Sequence, residues 1–155
     1  MNVTPIIGDQ YTLVCLPVFT GARSSIDVIL YQWKWYSHEG MTNIQRIALA
    51  ITAAARRGVK VRVILDLEHA THPISVINTR TAKALKEAGC EVKFSFSSTL
   101  THAKMVVIDG EWVVLGSHNF SKSAFTKNEE ASILIQDSAI CRTYLDWFDS
   151  MWARY

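Results

Sequence analysis

Between Thr101 and Ala131 stand His102, Lys104, Asp109, Gly116, Ser117, Asn119 and Glu130. An imidazole two residues from an ammonium is a nucleophile beside a fixed positive charge. An alternating run, Ala103 to Ile108, leads into Asp109-Gly110, and a second apolar run, Trp112 to Leu115, follows. That pattern predicts a β-hairpin closed by an Asp-Gly turn. Side chains two apart on a strand share a face, so His102 and Lys104 point the same way. Ser117 and Asn119 follow the partner strand, just after a glycine. A nucleophile, a cation and two hydrogen-bonding side chains thus collect at one end of a hairpin, which makes an anion site with a reactive group in it.

The spacing H-x-K-x4-D-x6-G-S-x-N, filled by His102, Lys104, Asp109, Gly116, Ser117 and Asn119, resembles the signature of the phospholipase D superfamily. The likeness extends to SSIDVILYQWKW, ALAITAAARRGVKVRVILD and TAKALKEAGCEVKF, which look like that family's preceding strand and two helix–strand units. Most members carry two such motifs. This chain carries one, and so is similar to the small single-motif, Nuc-like bacterial endonucleases, which build one active site from two subunits. The resemblance implies a single phospholipase D-like domain over residues 1–155, an α/β sandwich whose mixed β-sheet is flanked by helices on both faces.

Neutral imidazole is a competent nucleophile for covalent catalysis. Lys104 and Asn119, aimed at the nonbridging oxygens of a phosphodiester, would offset its charge in the transition state. Ser117 either donates a hydrogen bond there or holds Lys104 and Asn119 in place. The resemblance adds that His102 attacks phosphorus to give a phosphohistidine, while a second histidine, His102 of a two-fold related partner, protonates the leaving oxygen and then activates water. A homodimer is therefore expected, with one ring neutral and one protonated. No cofactor or metal is expected. The resemblance also places an acidic residue, Glu130 or its neighbour Glu129, where it would accept a hydrogen bond from the far nitrogen of His102 and set its tautomer. Asp109 reads as structural, binding backbone donors in the turn. His118 is either a second histidine near the site or an inward structural contact.

The 155 residues suffice for a domain with a real core. With 49% apolar and 19% charged residues, the chain is globular rather than disordered. Residues 41–110 hold ten Lys or Arg against five Asp or Glu. That basic middle suits a polyanion or simply a solvated surface. Cys15, Cys90 and Cys141 are odd in number and unrelated in spacing, so buried free thiols are expected. MNVTPIIGDQ lacks the basic start of a signal peptide, and no span or stable membrane insertion is read. The default compartment is cytoplasmic, or periplasmic or secreted if a leader was removed.

Positioning elements follow in order. Val3–Ile7 is a short strand whose Pro5 suits an edge. Asp9–Ala22 is a helix started or re-set near Pro17. Ser25–Trp35 is a central strand covered on both faces. Trp33, Trp35, Tyr36, His38 and Glu39 close it and open a loop, their rings free either to stack on bases or to close a core. Thr42 caps a helix to Arg57, Val59–Leu67 is a strand, Ser75–Ala88 a helix, and Glu91–Phe96 a strand. In the EHATHP loop, His69 and His72 with Asp66 or Glu68 have metal-ligand atom types without ligand spacing, in a place where substrates bind α/β sheets. Ser95–Thr101 is a polar linker, Phe120–Asn128 a loop or short helix, Glu130–Ile135 a strand, and Ser138–Arg154 an amphipathic helix. Three functions stay open. They are a metal-independent endonuclease acting on DNA and perhaps RNA, an enzyme acting on phospholipid head groups, and a noncatalytic nucleic-acid-binding module.

Overall fold

The computed structural model describes every residue except His38, Glu39 and Ser97, so expectations for those three lie outside the described residues. Its strands are β1 (Asn2–Ile7), β2 (Ser25–Leu30), β3 (Lys60–Asp66), β4 (Glu91–Ser95), β5 (Lys104–Ile108), β6 (Trp112–Gly116) and β7 (Ala131–Gln136). Its helices are α1 (Tyr11–Thr20), α2 (Asn43–Arg56), α3 (Pro73–Glu87), α4 (Lys122–Thr126) and α5 (Ser138–Arg154). The strands form one mixed sheet in the order β1-β7-β6-β5-β2-β3-β4. β2 runs parallel to β3 and antiparallel to β5.

Strand alternation divides the apolar residues between two layers. Val28, Leu30, Val63, Leu65, Val106 and Ile108 face one core, which α1, α2, α3 and α4 cover through residues such as Phe19, Ile47, Leu85 and Phe125. Ile29, Ile64, Met105, Val107 and Val113 face a second, filled by Cys141, Phe148 and Met151 of α5. Both faces of β2, β3 and β5 are therefore covered, as their near-continuous apolar sequences require. The three cysteines are free and buried.

The helix ends are set by side chains. Thr42 Oγ1 accepts the Gln45 N–H at 3.3 Å, and Asp137 Oδ1 accepts the N–H groups of Ala139 and Ile140 at 3.0 Å. The expected break at Pro17 does not occur, because α1 runs through it. Proline withholds a hydrogen bond from the carbonyl four residues back and crowds it, and that carbonyl belongs to Leu13, a residue on the exposed side of the helix. The central strand also ends earlier than its apolar run, at Leu30, with a single further bridge between Trp33 and Phe120.

Two alignments place the functional ends. Leu30 pairs with both Leu65 and Lys104, so the carboxyl ends of β2 and β3 and the start of β5 share one edge of the sheet. Asp109 lies at the other end of β5, roughly 17 Å away at 3.4 Å per residue. It and Gly110 have φ of 55° and 65°, and the Glu111 N–H closes the turn on Ile108 O at 3.0 Å. The Asp109 carboxylate accepts the N–H groups of Arg23, Ser24 and Ser25 at 2.7–3.1 Å, and the Ser24 hydroxyl at 2.9 Å. It thus clamps the entry to β2 rather than donors of its own turn. Burial raises its pKa, but the Ser25, Ser24 and Arg23 donors outweigh that and hold the carboxyl below its usual range. A depressed carboxyl stabilises the fold above its unfolded pKa and loses that contribution as pH falls through its folded one. Asp109→Asn is therefore expected to lower stability by about 1–2 kcal/mol near neutral pH, the partly exposed turn keeping it modest. Urea unfolding of both proteins will show the gap closing below about pH 4.

Candidate active site

His102 immediately precedes β5 and is exposed, and Lys104 opens the strand half-buried. The Lys104 ammonium stands 3.1 Å from Nδ1 and 3.2 Å from Nε2 of His102, and donates to the His102 carbonyl at 2.6 Å. Tyr31, just past β2, lies beneath both, its ring 4.9 Å from the imidazole and 5.4 Å from Nζ of Lys104. Its N–H donates to Ala103 O at 3.2 Å, which ties the end of β2 to the residue after His102. Burial depresses the Lys104 pKa, and the Glu130 carboxylate pulls it back.

Ser117 extends the β6–β7 ladder, its N–H donating to Ala131 O at 3.0 Å. Its hydroxyl accepts the Ala131 N–H at 3.0 Å and donates to Glu130 Oε2. Asn128 Nδ2 donates to Glu130 Oε1 at 3.0 Å. Of the two adjacent glutamates, Glu130 is half-buried at Ser117, while Glu129 is exposed. Within the chain Glu130 is held by these two bonds rather than by one from His102, since it immediately precedes Ala131, the residue that Ser117 meets at the end of the β6–β7 ladder. Asn119 is half-buried, and its Oδ1 is a buried acceptor without a hydrogen-bond partner. The backbone beyond it is fixed, with Phe120 N–H on Gln32 O at 3.0 Å and Lys34 N–H on Phe120 O at 2.8 Å.

Four of the expected binding residues belong elsewhere. Trp33 is fully buried, edge-on to Phe120 at 5.0 Å, with its backbone N–H donating to Asn78 Oδ1 at 3.0 Å, so its ring packs a core and stacks on no base. Trp35 packs half-buried against that core, and Tyr36 is buried. His118 is 1% exposed, bridging Ser132 Oγ and Gly8 O at 2.7 Å each, so it is the inward structural contact. His69 is exposed, its Nδ1 3.1 Å from the Thr71 hydroxyl, and shares an open cleft with Asp66, Glu68, Phe96 and Leu100. A second cleft of about 300 Å³ opens at His102 itself, lined by Thr101, Trp147, Met151, Arg154 and Tyr155. Tyr31 was not singled out in the sequence, since it sits in an apolar run. Its position just past the run's last core residue was the available signal.

Residues 16–152 match the family model described as "Cardiolipin synthase, PLD-like domain". The chain belongs to the phospholipase D superfamily. It is 35% identical over 135 residues to the mitochondrial cardiolipin hydrolase of Xenopus laevis, covering 87% of this chain and 58% of that protein. It is also 35% identical over 103 residues to a phospholipase D of Rickettsia prowazekii, covering 66% and 48%. The chain thus spans about half the length of these relatives. Nuc from Salmonella typhimurium shares the superfamily fold with a TM-score of 0.79 at 22% identity, covering 98% of this chain and 95% of that one. NucT from Helicobacter pylori does so at 0.75 and 20%, covering 98% and 96%. Sequence and fold thus agree on the superfamily.

Gly116 shows why the superfamily spacing has a glycine before the serine. A Cβ there would overlap Ser132 Oγ and Cα and stand 2.5 Å from Ala131 O. The backbones of β6 and β7 would have to part where they present Ser117 and Glu130. Gly116→Ala is expected to cost about 1–3 kcal/mol in thermal or urea unfolding, and to lower phosphodiesterase activity in the protein that remains folded.

Proposed function

We propose that this chain is a metal-independent phosphodiesterase that cleaves nucleic acid through a phosphohistidine intermediate, in an active site completed by a second copy. The observation that carries the reading is the His102–Lys104 pair, an exposed imidazole with an ammonium within 3.2 Å of both its nitrogens. One His102 nitrogen attacks phosphorus as the bond to the leaving oxygen breaks, and that oxygen takes a proton from the partner subunit's His102. Water then attacks phosphorus, gives its proton to the same imidazole, and breaks the phosphorus–nitrogen bond. Lys104 and Asn119 would bear on the nonbridging oxygens, and Ser117 on Glu130 keeps that carboxylate from competing for them.

Nucleic acid is favoured by a basic cleft lined by Lys34, Tyr36, Lys122, Ser123 and Lys127. A second reading is a phospholipid head-group enzyme. It is supported by exposed Phe96, Leu100 and Trp147 near His102, and by relatives named cardiolipin hydrolase and phospholipase D. No helix among the described residues is long and apolar enough to cross a membrane.

Plasmid nicking in excess EDTA by wild type and His102→Ala tests the reading. Wild type is expected to cut and His102→Ala to lose at least about 10³-fold. A strict need for added magnesium would overturn it, and head-group release from vesicles without nicking would favour the lipid reading. Because the chemistry needs one neutral and one protonated imidazole, kcat/KM on a small diester is expected to be bell-shaped in pH. A flat profile between about pH 5 and pH 8 would count against the histidine pair.

A further inference from the structure

β3 is apolar along its inward positions and ends in Asp66, which is 2% exposed. Its Oδ1 accepts the Thr101 N–H at 2.9 Å, one residue before the nucleophile. Its carbonyl accepts Asn78 Nδ2 at 2.8 Å, and the same Nδ2 donates to Tyr31 O at 2.8 Å. Asn78 is fully buried, and its Oδ1 accepts the Trp33 backbone N–H. Tyr31 in turn donates to Ala103 O, one residue after the nucleophile. His102 is therefore held on both sides, by Thr101 and by Ala103, and both lines lead back to Asp66 and Asn78.

We propose that Asp66 is a positioning residue for His102, setting through Thr101 where the loop from β4 delivers the imidazole. Among the described residues of that loop, Phe96, Ser98 and Leu100 are exposed and Thr101 is the first that is buried, so their packing does little to place it. A leucine, as at Leu30 and Leu65, would end the strand without burying a charge. Asp66 instead buries a carboxylate at 2% exposure, a desolvation cost set against the Thr101 N–H held on its Oδ1. Burial raises its pKa and Glu68 pushes it in the same direction, while the Thr101 N–H, the Ser95 hydroxyl and His72 offset this only in part. The neutral form keeps the Oδ1 acceptor, so the role is one of geometry.

The inference rests on the phosphodiesterase reading, and its test separates the two. Turnover of bis(p-nitrophenyl) phosphate is measured for wild type, Asp66→Asn, Asp66→Ala and Asp66→Glu, with folding checked by circular dichroism and the His102 ring followed by NMR. Asp66→Ala and Asp66→Glu are expected to lose about 10–100-fold in kcat with KM changed less than about threefold. The His102 resonances should shift in both. Asp66→Asn, which retains the acceptor, should keep at least about a third of kcat. Wild-type kcat in folded Asp66→Glu, or an unmoved His102 resonance, overturns the proposal, as does Asp66→Asn failing along with Asp66→Ala. Should Asp66→Ala not fold, Asp66→Glu and Asp66→Asn decide it. An inactive wild type sinks the phosphodiesterase reading, and the His102 resonances still decide the role of Asp66.

Discussion

β2 has a parallel neighbour on one side and an antiparallel neighbour on the other. The parallel partner brings the carboxyl end of β3 level with that of β2, and the antiparallel partner brings the beginning of β5 to the same edge. Tyr31, Asp66 and Lys104 become neighbours without any long loop crossing the sheet. Loops then need only cover short spans, and the reactive side chains stand on strand ends held by ladders on both sides.

The other face of β2 carries a different constraint. Asp27 is 1% exposed and accepts from Arg62 Nε at 2.6 Å, and Arg62 NH1 reaches Asp149 of α5 at 2.9 Å. The guanidinium also lies 4.7 Å from the Phe148 ring centroid and 5.6 Å from that of Trp152. One side chain thus joins two strands and a helix, stacking as well as pairing, which a lysine would not reproduce. Burial raises the Asp27 pKa despite Arg62, while at Arg62 burial lowers the pKa but Asp27 and Asp149 outweigh it and hold the pKa up. The triad's contribution is orientation: it fixes how α5 lies on the sheet, and so where Trp147 and Arg154 stand beside the cleft at His102.

Much of this was legible in the sequence because it depends on local pattern. The hairpin, the two helix–strand units, α5 to the residue and the α/β sandwich follow from alternation, helical spacing and turn chemistry, while the motif positions come from the resemblance to the phospholipase D superfamily. What was not legible depends on long-range burial. Trp33 at the end of an apolar run reads equally as a base-stacking ring or a core ring, and only the approach of Phe120 and Asn78 decides. Pro17 breaks a helix in isolation but not where the crowded carbonyl belongs to a residue on the exposed side of the helix. His118 has the spacing of a site residue, yet Ser132 and Gly8, distant in sequence, take both its nitrogens. Glu130 and Glu129 differ only in which one faces the ladder. Asp66 reads as a strand residue beside a histidine-bearing loop, and its tie to Thr101 spans 35 positions.

The sheet has two free margins, β1 and β4. β1 carries Pro5, which withholds one backbone donor, and β4 alternates charge through Glu91 and Lys93. Both are features that keep bare strand edges from recruiting further strands. Copies of this chain are thereby discouraged from joining sheet to sheet into an open-ended fibre. An unguarded seven-stranded sheet would invite β-aggregation at its margins, and these two features work against it.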